Sequence, residues 1–242
     1  MYYDVHAHLD LIKDLDKVLK KCQERNIFVI AQGVDIKTNR EVLEFTQKYN
    51  NVKAALGIYP SDALKLNSKK FKEELEFIES NKDNIVAIGE IGIDGTYKEL
   101  EKQKVLFIEQ LELAEKLGKT VIIHSRAAEE EAIDILEKFK LNVVMHCFCG
   151  SKNLVKRILD NKWFISIPAN VVFNEQFQKN VRLFPIEQLL AETDSPFLHP
   201  VKGKRNNTPI NVERSYMKIA EIKKLNIKDV EKQLEKNFKK LF

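Results

Sequence analysis

Cysteine, glycine and long apolar runs are all scarce in this chain of 242 residues, and each scarcity removes a class of protein. Three cysteines, Cys22, Cys147 and Cys149, are too few to staple a small fold, and such usage belongs to compartments where thiols stay reduced. A cytoplasmic location is the resulting expectation. Eight glycines leave no GxGxxG turn and no P-loop, so no nucleotide cofactor is expected. Nowhere do about 18 apolar residues run together. The N-terminus, Met1-Tyr2-Tyr3-Asp4-Val5-His6, has no basic region leading into an apolar one. Neither a membrane span nor an export signal is therefore expected. Charge also falls short of an extreme: 40 Lys plus Arg against 36 Asp plus Glu, a net +4, permits a polyanionic partner without demanding one.

What is present is a globular composition, 44% hydrophobic and 31% charged, which excludes disorder and collagen-like character. Short β-rich runs alternate with longer amphipathic ones along the chain. Candidate strands lie at Tyr2 to His8, Phe28 to Gln32, Val52 to Ile58, Val86 to Ile91, Val121 to His124, Val143 to His146, Trp163 to Ile167 and Leu189 to Thr193. They are short and mostly apolar, as strands buried on both faces should be. Between them, apolar residues recur at helical spacing, as in Leu106, Gln110, Leu111, Leu113, Ala114 and Leu117, with Gly118 placed as a C-terminal stop. Ser68 is the expected N-cap of the helix through Phe71, Leu75 and Ile78. Ile210 to Phe242 read as one or two closing helices. Eight such alternations without a Gly/Pro/Ser-rich linker predict a (β/α)8 TIM barrel of the α/β class, with residues 1–242 forming a single domain.

Four of the five histidines fall at the C-terminal ends of predicted strands: His6 and His8 on the first, His124 on the fifth and His146 on the sixth. In a barrel those ends converge on the face that carries chemistry. His6 and His8 are two apart on a strand, so both side chains can face one cavity. Glu90 and Asp194 end the fourth and eighth strands and add two carboxylates. Singly, each is an ordinary strand-end or turn residue. Together, six ligand-type side chains are costly to bury unless a cation holds them. Imidazole plus carboxylate suits Zn²⁺, Mn²⁺ or Mg²⁺. Six ligands exceed one open catalytic site but suit two divalent ions, with Glu90 as the bridge, His6, His8 and Asp194 on one ion, and His124 and His146 on the other.

Seven blocks in order carry a resemblance: His6-Ala7-His8-Leu9-Asp10; Gly57-Ile58-Tyr59-Pro60; Gly89-Glu90-Ile91-Gly92-Ile93-Asp94; Ile122-Ile123-His124-Ser125-Arg126; His146-Cys147-Phe148-Cys149-Gly150; Glu192-Thr193-Asp194-Ser195-Pro196; and Gly203-Lys204-Arg205-Asn206. The chain resembles the TatD family of metal-dependent deoxyribonucleases, within the amidohydrolase group of barrels. The resemblance implies a barrel that holds divalent ions on His6, His8, Glu90, His124, His146 and Asp194 and cleaves phosphodiesters in DNA, as a 3′-5′ exonuclease, an abasic-site endonuclease or both. Related barrels often bridge their ions with a carbamylated lysine where this chain has Glu90. The third strand departs from the TatD pattern: Gly-(Val/Ile)-His-Pro-His is usual, and Gly57-Ile58-Tyr59-Pro60-Ser61 stands here, so both histidines are absent.

For such a reaction Asp194 is expected to accept the proton of a metal-activated water, with Glu90 beside it in the catalytic set. DNA, single-stranded or at 3′ ends, is the expected partner. Phosphate-facing cations are expected at Arg126, beside His124, and at Lys204 and Arg205, with Lys202 in the same loop. Phe148 is a candidate for stacking on a base. Cys147 and Cys149 read as small packing residues, His199 as an exposed loop residue, and Trp163 and Phe164 as core. Two readings are open at this point: the nuclease, and an amidohydrolase-type enzyme that cleaves a small ester, amide or lactone at the same two-metal site.

Overall fold

The computed structural model describes residues 1–242 and carries eight strands and ten α-helices. In chain order they are β1 (Tyr2–Ala7), α1 (Leu15–Glu24), β2 (Ile27–Gln32), α2 (Ile36–Lys48), β3 (Val52–Leu56), α3 (Pro60–Ala63), α4 (Ser68–Ser80), β4 (Ile85–Gly92), α5 (Leu100–Leu117), β5 (Thr120–His124), α6 (Glu129–Leu136), β6 (Val143–Met145), α7 (Lys152–Asp160), β7 (Phe164–Ile167), α8 (Glu175–Leu183), β8 (Leu189–Ala191), α9 (Val212–Lys223) and α10 (Ile227–Leu241). The strands form one sheet in the order β1 to β8. Beyond β8 the backbone comes back beside the first strand, with a parallel bridge from Ala7 to Ser195. This is the (β/α)8 barrel class that the sequence predicts.

By its internal contacts the chain divides into two compact units, one of Met1–Ala31, Phe45–Lys53 and Phe164–Phe242, the other of Gln32–Glu44 and Ala54–Trp163. In the first, β7 pairs in parallel with β8 through Ile165–Leu189, Ser166–Leu190 and Ile167–Ala191. In the second, β4 pairs with β5 and β5 with β6, also in parallel. The strands are buried along nearly their whole length, β5 and β7 at every residue, which is why they read as apolar runs rather than alternating ones.

Helix boundaries follow from capping chemistry. The side chains of Asn67, Ser151, Asn174 and Asn226 accept hydrogen bonds from backbone N–H groups in the first turns of α4, α7, α8 and α10. The cap of α4 is therefore Asn67 rather than Ser68, which is its first helical residue. Both residue types cap well, and the run Asn67-Ser68 offers the choice within one position. Gly118 ends α5 in the left-handed conformation, φ 62°, which glycine adopts without a Cβ penalty. No helix is long and apolar enough to cross a membrane.

Candidate functional site

In the first unit the site begins with a buried acid. Asp4, inside β1, is fully enclosed, and its carboxylate accepts from the backbone N–H of Thr193 at 2.9 Å and from the Thr193 hydroxyl at 2.5 Å. Burial pushes its carboxyl well above the usual range, against the pull of those hydrogen bonds. Asp4 thus ties β1 to the segment after β8. The backbone continues the tie: Asp194 N–H donates to His6 O at 2.9 Å and His8 N–H to Ser195 O at 2.8 Å. As a result the three expected ligands of this unit meet. His6 Nε2 and His8 Nε2 lie 3.3 Å apart, and they face Asp194 Oδ1 at 3.7 and 3.5 Å. Asp194 is held at φ 50°, a left-handed conformation uncommon for a residue with a side chain.

The second unit repeats this chemistry at the ends of β4, β5 and β6. Glu90 Oε1 is faced by His124 Nδ1 at 2.9 Å and His146 Nε2 at 3.4 Å, and ligand atoms of all three lie within 4.8 Å of one another. The other nitrogen of His124, Nε2, lies 3.0 Å from Asp94 Oδ2. Tyr59 donates to the same oxygen at 2.8 Å. Thr96 donates to Asp94 Oδ1 through its backbone N–H at 2.9 Å and through its hydroxyl. Burial acts to raise the Asp94 carboxyl, but the hydrogen bonds from His124, Thr96 and Tyr59 outweigh it and hold the group well below the usual carboxylate range. Burial also lowers the His124 imidazole, yet Asp94 and Glu90 more than restore it and keep it above its ordinary value. Tyr59 is pushed up by burial and by the charges of Glu90 and Asp94, so near neutral pH its hydroxyl is a proton donor to Asp94. Asp94 engages the Nε2 edge of His124, and the Nδ1 edge is the one turned toward Glu90.

Gly92 allows this approach. It pairs with His124 across the β4–β5 ladder, and a Cβ at Gly92 would lie 1.9 Å from the His124 carbonyl oxygen. The peptide bonds Gly89–Glu90 and Ser195–Pro196 are cis.

The expected substrate residues fare differently. Arg126, Lys204 and Arg205 are all exposed, as is Lys202. The loop bearing the last three is pinned by buried Asn207, whose side-chain amide donates to Thr193 O at 2.9 Å. Phe148 is a correction: it is only 1% exposed, its ring packed against Gly150, so it has no open face for a base. Cys149 is exposed rather than a packing residue. His199 is partly buried, and its Nδ1 accepts from Val201 N–H at 2.9 Å. Trp163 and Phe164 are core residues as expected. Sequence reasoning assigned no role to Asp4, Asp94 or Asn207. The available signals were an acid inside an apolar strand at Asp4, a polar position closing a motif at Asp94 and a second asparagine directly after a motif at Asn207.

The donor chemistry fits divalent cations. In each unit two imidazole nitrogens and a carboxylate oxygen converge, the mixed N/O set that Zn²⁺ and Mn²⁺ accept. A family model described as TatD related DNase matches residues 3–242. The chain belongs to the TatD family. It is a metal-dependent hydrolase of that family, as its relatives are named. The metal-dependent hydrolase MJ1582 of Methanocaldococcus jannaschii is 34% identical over 244 residues, covering 100% of this chain and 96% of its own. Human deoxyribonuclease TATDN3 is 32% identical over 257 residues, covering 99% of this chain and 93% of its own. The solved structure of YJJV, a TatD homolog from Escherichia coli, matches in fold with a TM-score of 0.92 at 24% identity, covering 100% of this chain and 97% of that one. In this TatD chain the third-strand position usually held by histidine carries Tyr59, whose hydroxyl serves Asp94 and lies 3.1 Å from His124 Nε2.

Proposed function

We propose that this chain hydrolyses phosphodiester bonds in DNA, acting on single strands or 3′ ends as an exonuclease, at abasic sites as an endonuclease, or both. The observation that carries the reading is the same in both units: one carboxylate oxygen, Asp194 Oδ1 or Glu90 Oε1, is faced by two imidazole nitrogens. On this reading His6, His8 and Asp194 would hold one divalent ion, and Glu90, His124 and His146 would hold a second. Bound divalent ions lower the pKa of water and neutralise charge on phosphate and leaving oxygens.

The chain's own residues supply the rest. Asp194 takes the proton from the water whose oxygen attacks phosphorus. The P–O bond to the sugar breaks in line, and the departing oxygen takes a proton from solvent. Asp94 and Tyr59 fix the His124 ring by its Nε2 edge, so its orientation is set before substrate arrives. Exposed Arg126, Lys204 and Arg205 grip flanking phosphates, the arginines in bidentate fashion. The named activity of human TATDN3 supports DNA as the substrate class.

The test is cleavage of end-labelled single-stranded, duplex and abasic-site DNA with Mg²⁺, Mn²⁺ or Zn²⁺ and with chelator, for wild type and Asp194→Asn. A metal-dependent product ladder that the variant loses is the expected result. No cleavage of any DNA under any ion refutes the reading.

A further inference from the structure

Phe197 stands apart from the aromatic core. Phe71, Phe107, Phe148, Phe164, Phe177 and Phe184 are all buried, whereas Phe197 is 51% exposed. A single exposed apolar residue is unremarkable by itself, but this one is held in place beside the ligands. Its backbone N–H donates to Asp194 O at 2.8 Å. Its ring meets the ring of His8 edge-on, with centroids 5.9 Å apart and planes at 70°. It is therefore three residues from the expected proton acceptor and in contact with an expected ligand, with a ring half open to solvent.

The chain around it has the composition of a surface that grips unpaired nucleic acid. Within eight residues follow Val201, Lys202, Lys204 and Arg205, all exposed, on the loop that Asn207 anchors. Leu11 and Phe173, 52% and 42% exposed, lie on the segments that follow β1 and β7. An aromatic face for a base next to cations for the backbone is how proteins hold single strands without reading their sequence. A base inside a duplex has both faces covered by its neighbours. A free ring at the reacting end therefore suits a terminal or unpaired base.

We infer that Phe197 is a stacking platform for the nucleobase next to the scissile phosphodiester, with Lys202, Lys204 and Arg205 gripping the adjoining phosphates. The inference rests on the nuclease reading and adds to it the side chain that holds an unpaired base. Phe197 occupies the place beside the ligands that Phe148, buried, cannot.

Binding to the metal-loaded protein is measured by fluorescence anisotropy with two phosphorothioate-linked, cleavage-resistant probes of equal length and charge: oligo-dT and the matching abasic-spacer strand. Phe197→Ala should weaken oligo-dT binding about 5- to 100-fold, the range for losing one base–aromatic stack, while leaving the abasic strand within about twofold. Phe197→Trp should retain oligo-dT binding, and its indole fluorescence should be quenched on binding, against a background of the single buried Trp163. Unchanged oligo-dT affinity in Phe197→Ala, or equal loss on both probes, overturns the platform while leaving the nuclease reading in place. Wild-type protein that neither binds nor cleaves any DNA overturns both.

Discussion

Replacing Asp94 by Asn is the most informative single change, because it keeps the shape of the side chain and alters one charge. The carboxylate makes two sets of contacts: Oδ2 accepts from Tyr59 and His124, and Oδ1 accepts from Thr96 N–H. An amide cannot serve both. With its oxygen toward Thr96, its NH₂ meets His124 Nε2 and favours the tautomer that puts the proton on Nδ1, the nitrogen 2.9 Å from Glu90. With its oxygen toward His124, the NH₂ opposes the Thr96 N–H. In the second case the hydrogen bond to His124 survives but loses its charge, falling from about 1.5–3 to about 0.5–1.5 kcal/mol. In the first, the ring must pay for a change of tautomer before a cation can use Nδ1. Either route loses about 1–2 kcal/mol, which is about 5- to 30-fold in affinity and overlaps the lower part of the roughly 10- to 100-fold loss typical when the partner of a ligating histidine is altered. Calorimetric titration of the metal-stripped protein with Mn²⁺ and Zn²⁺ measures this. Asp94→Asn should bind about 5- to 30-fold more weakly with a nearly unchanged metal-free melting temperature, and Tyr59→Phe, which removes one hydrogen bond to the Asp94 carboxylate, should lose about fivefold. Affinity within twofold of wild type in Asp94→Asn would refute the claim that Asp94 orients His124.

Three further outcomes are expected. Gly92→Ala should cost at least about 1–3 kcal/mol in urea unfolding and weaken metal binding, since φ +148° suits glycine alone and the new methyl would strike the His124 backbone; a stable variant with normal metal affinity contradicts this. Arg40→Ala should cost about 2–4 kcal/mol, because it strips the buried Glu74 carboxylate of its guanidinium partner and leaves Asn39 as donor at 2.7 Å; this is the usual range of about 3–5 kcal/mol for a broken buried pair, reduced for solvent screening because Arg40 is 38% exposed. A melting temperature lowered by less than about 2 °C would count against it. In native protein near pH 8 a thiol reagent should modify exposed Cys149 quickly and leave Cys22 untouched, because burial pushes the Cys22 thiol up to about 12; all three thiols should react only after unfolding, and three fast equivalents in native protein would be the wrong result.

Strand positions were legible because strands covered on both faces announce themselves as apolar runs. Their ends were not, by one or two residues. The reading carried β3 to Ile58 and β6 to His146, whereas the ladders stop at Leu56 and Met145. Past these ends Ile58 turns into the core with Ala63 and Phe71, while His146 N–H still donates to Ile123 O at 3.0 Å, and nothing in their hydropathy marks the strand end. The ligand types were legible from chemistry and from their place at strand ends. The supporting acids were not: Asp4 gains its meaning from Thr193, 189 residues away, and Asp94 from Tyr59, 35 residues away in the segment after β3, and from His124, 30 residues away on β5. The aromatic choice failed for a related reason. Sequence distance put Phe148 close to a ligand, but the left-handed backbone at Cys147, φ 45°, accompanies a ring folded back onto Gly150, while Phe197 gains its exposure from the loop held by Asn207.

Crystals soaked in Mn²⁺ and measured for anomalous scattering examine the central claim most directly. Two peaks are predicted, one ligated by His6, His8 and Asp194 and one by Glu90, His124 and His146. No peak at these residues, or a single ion bound away from them, would contradict the account.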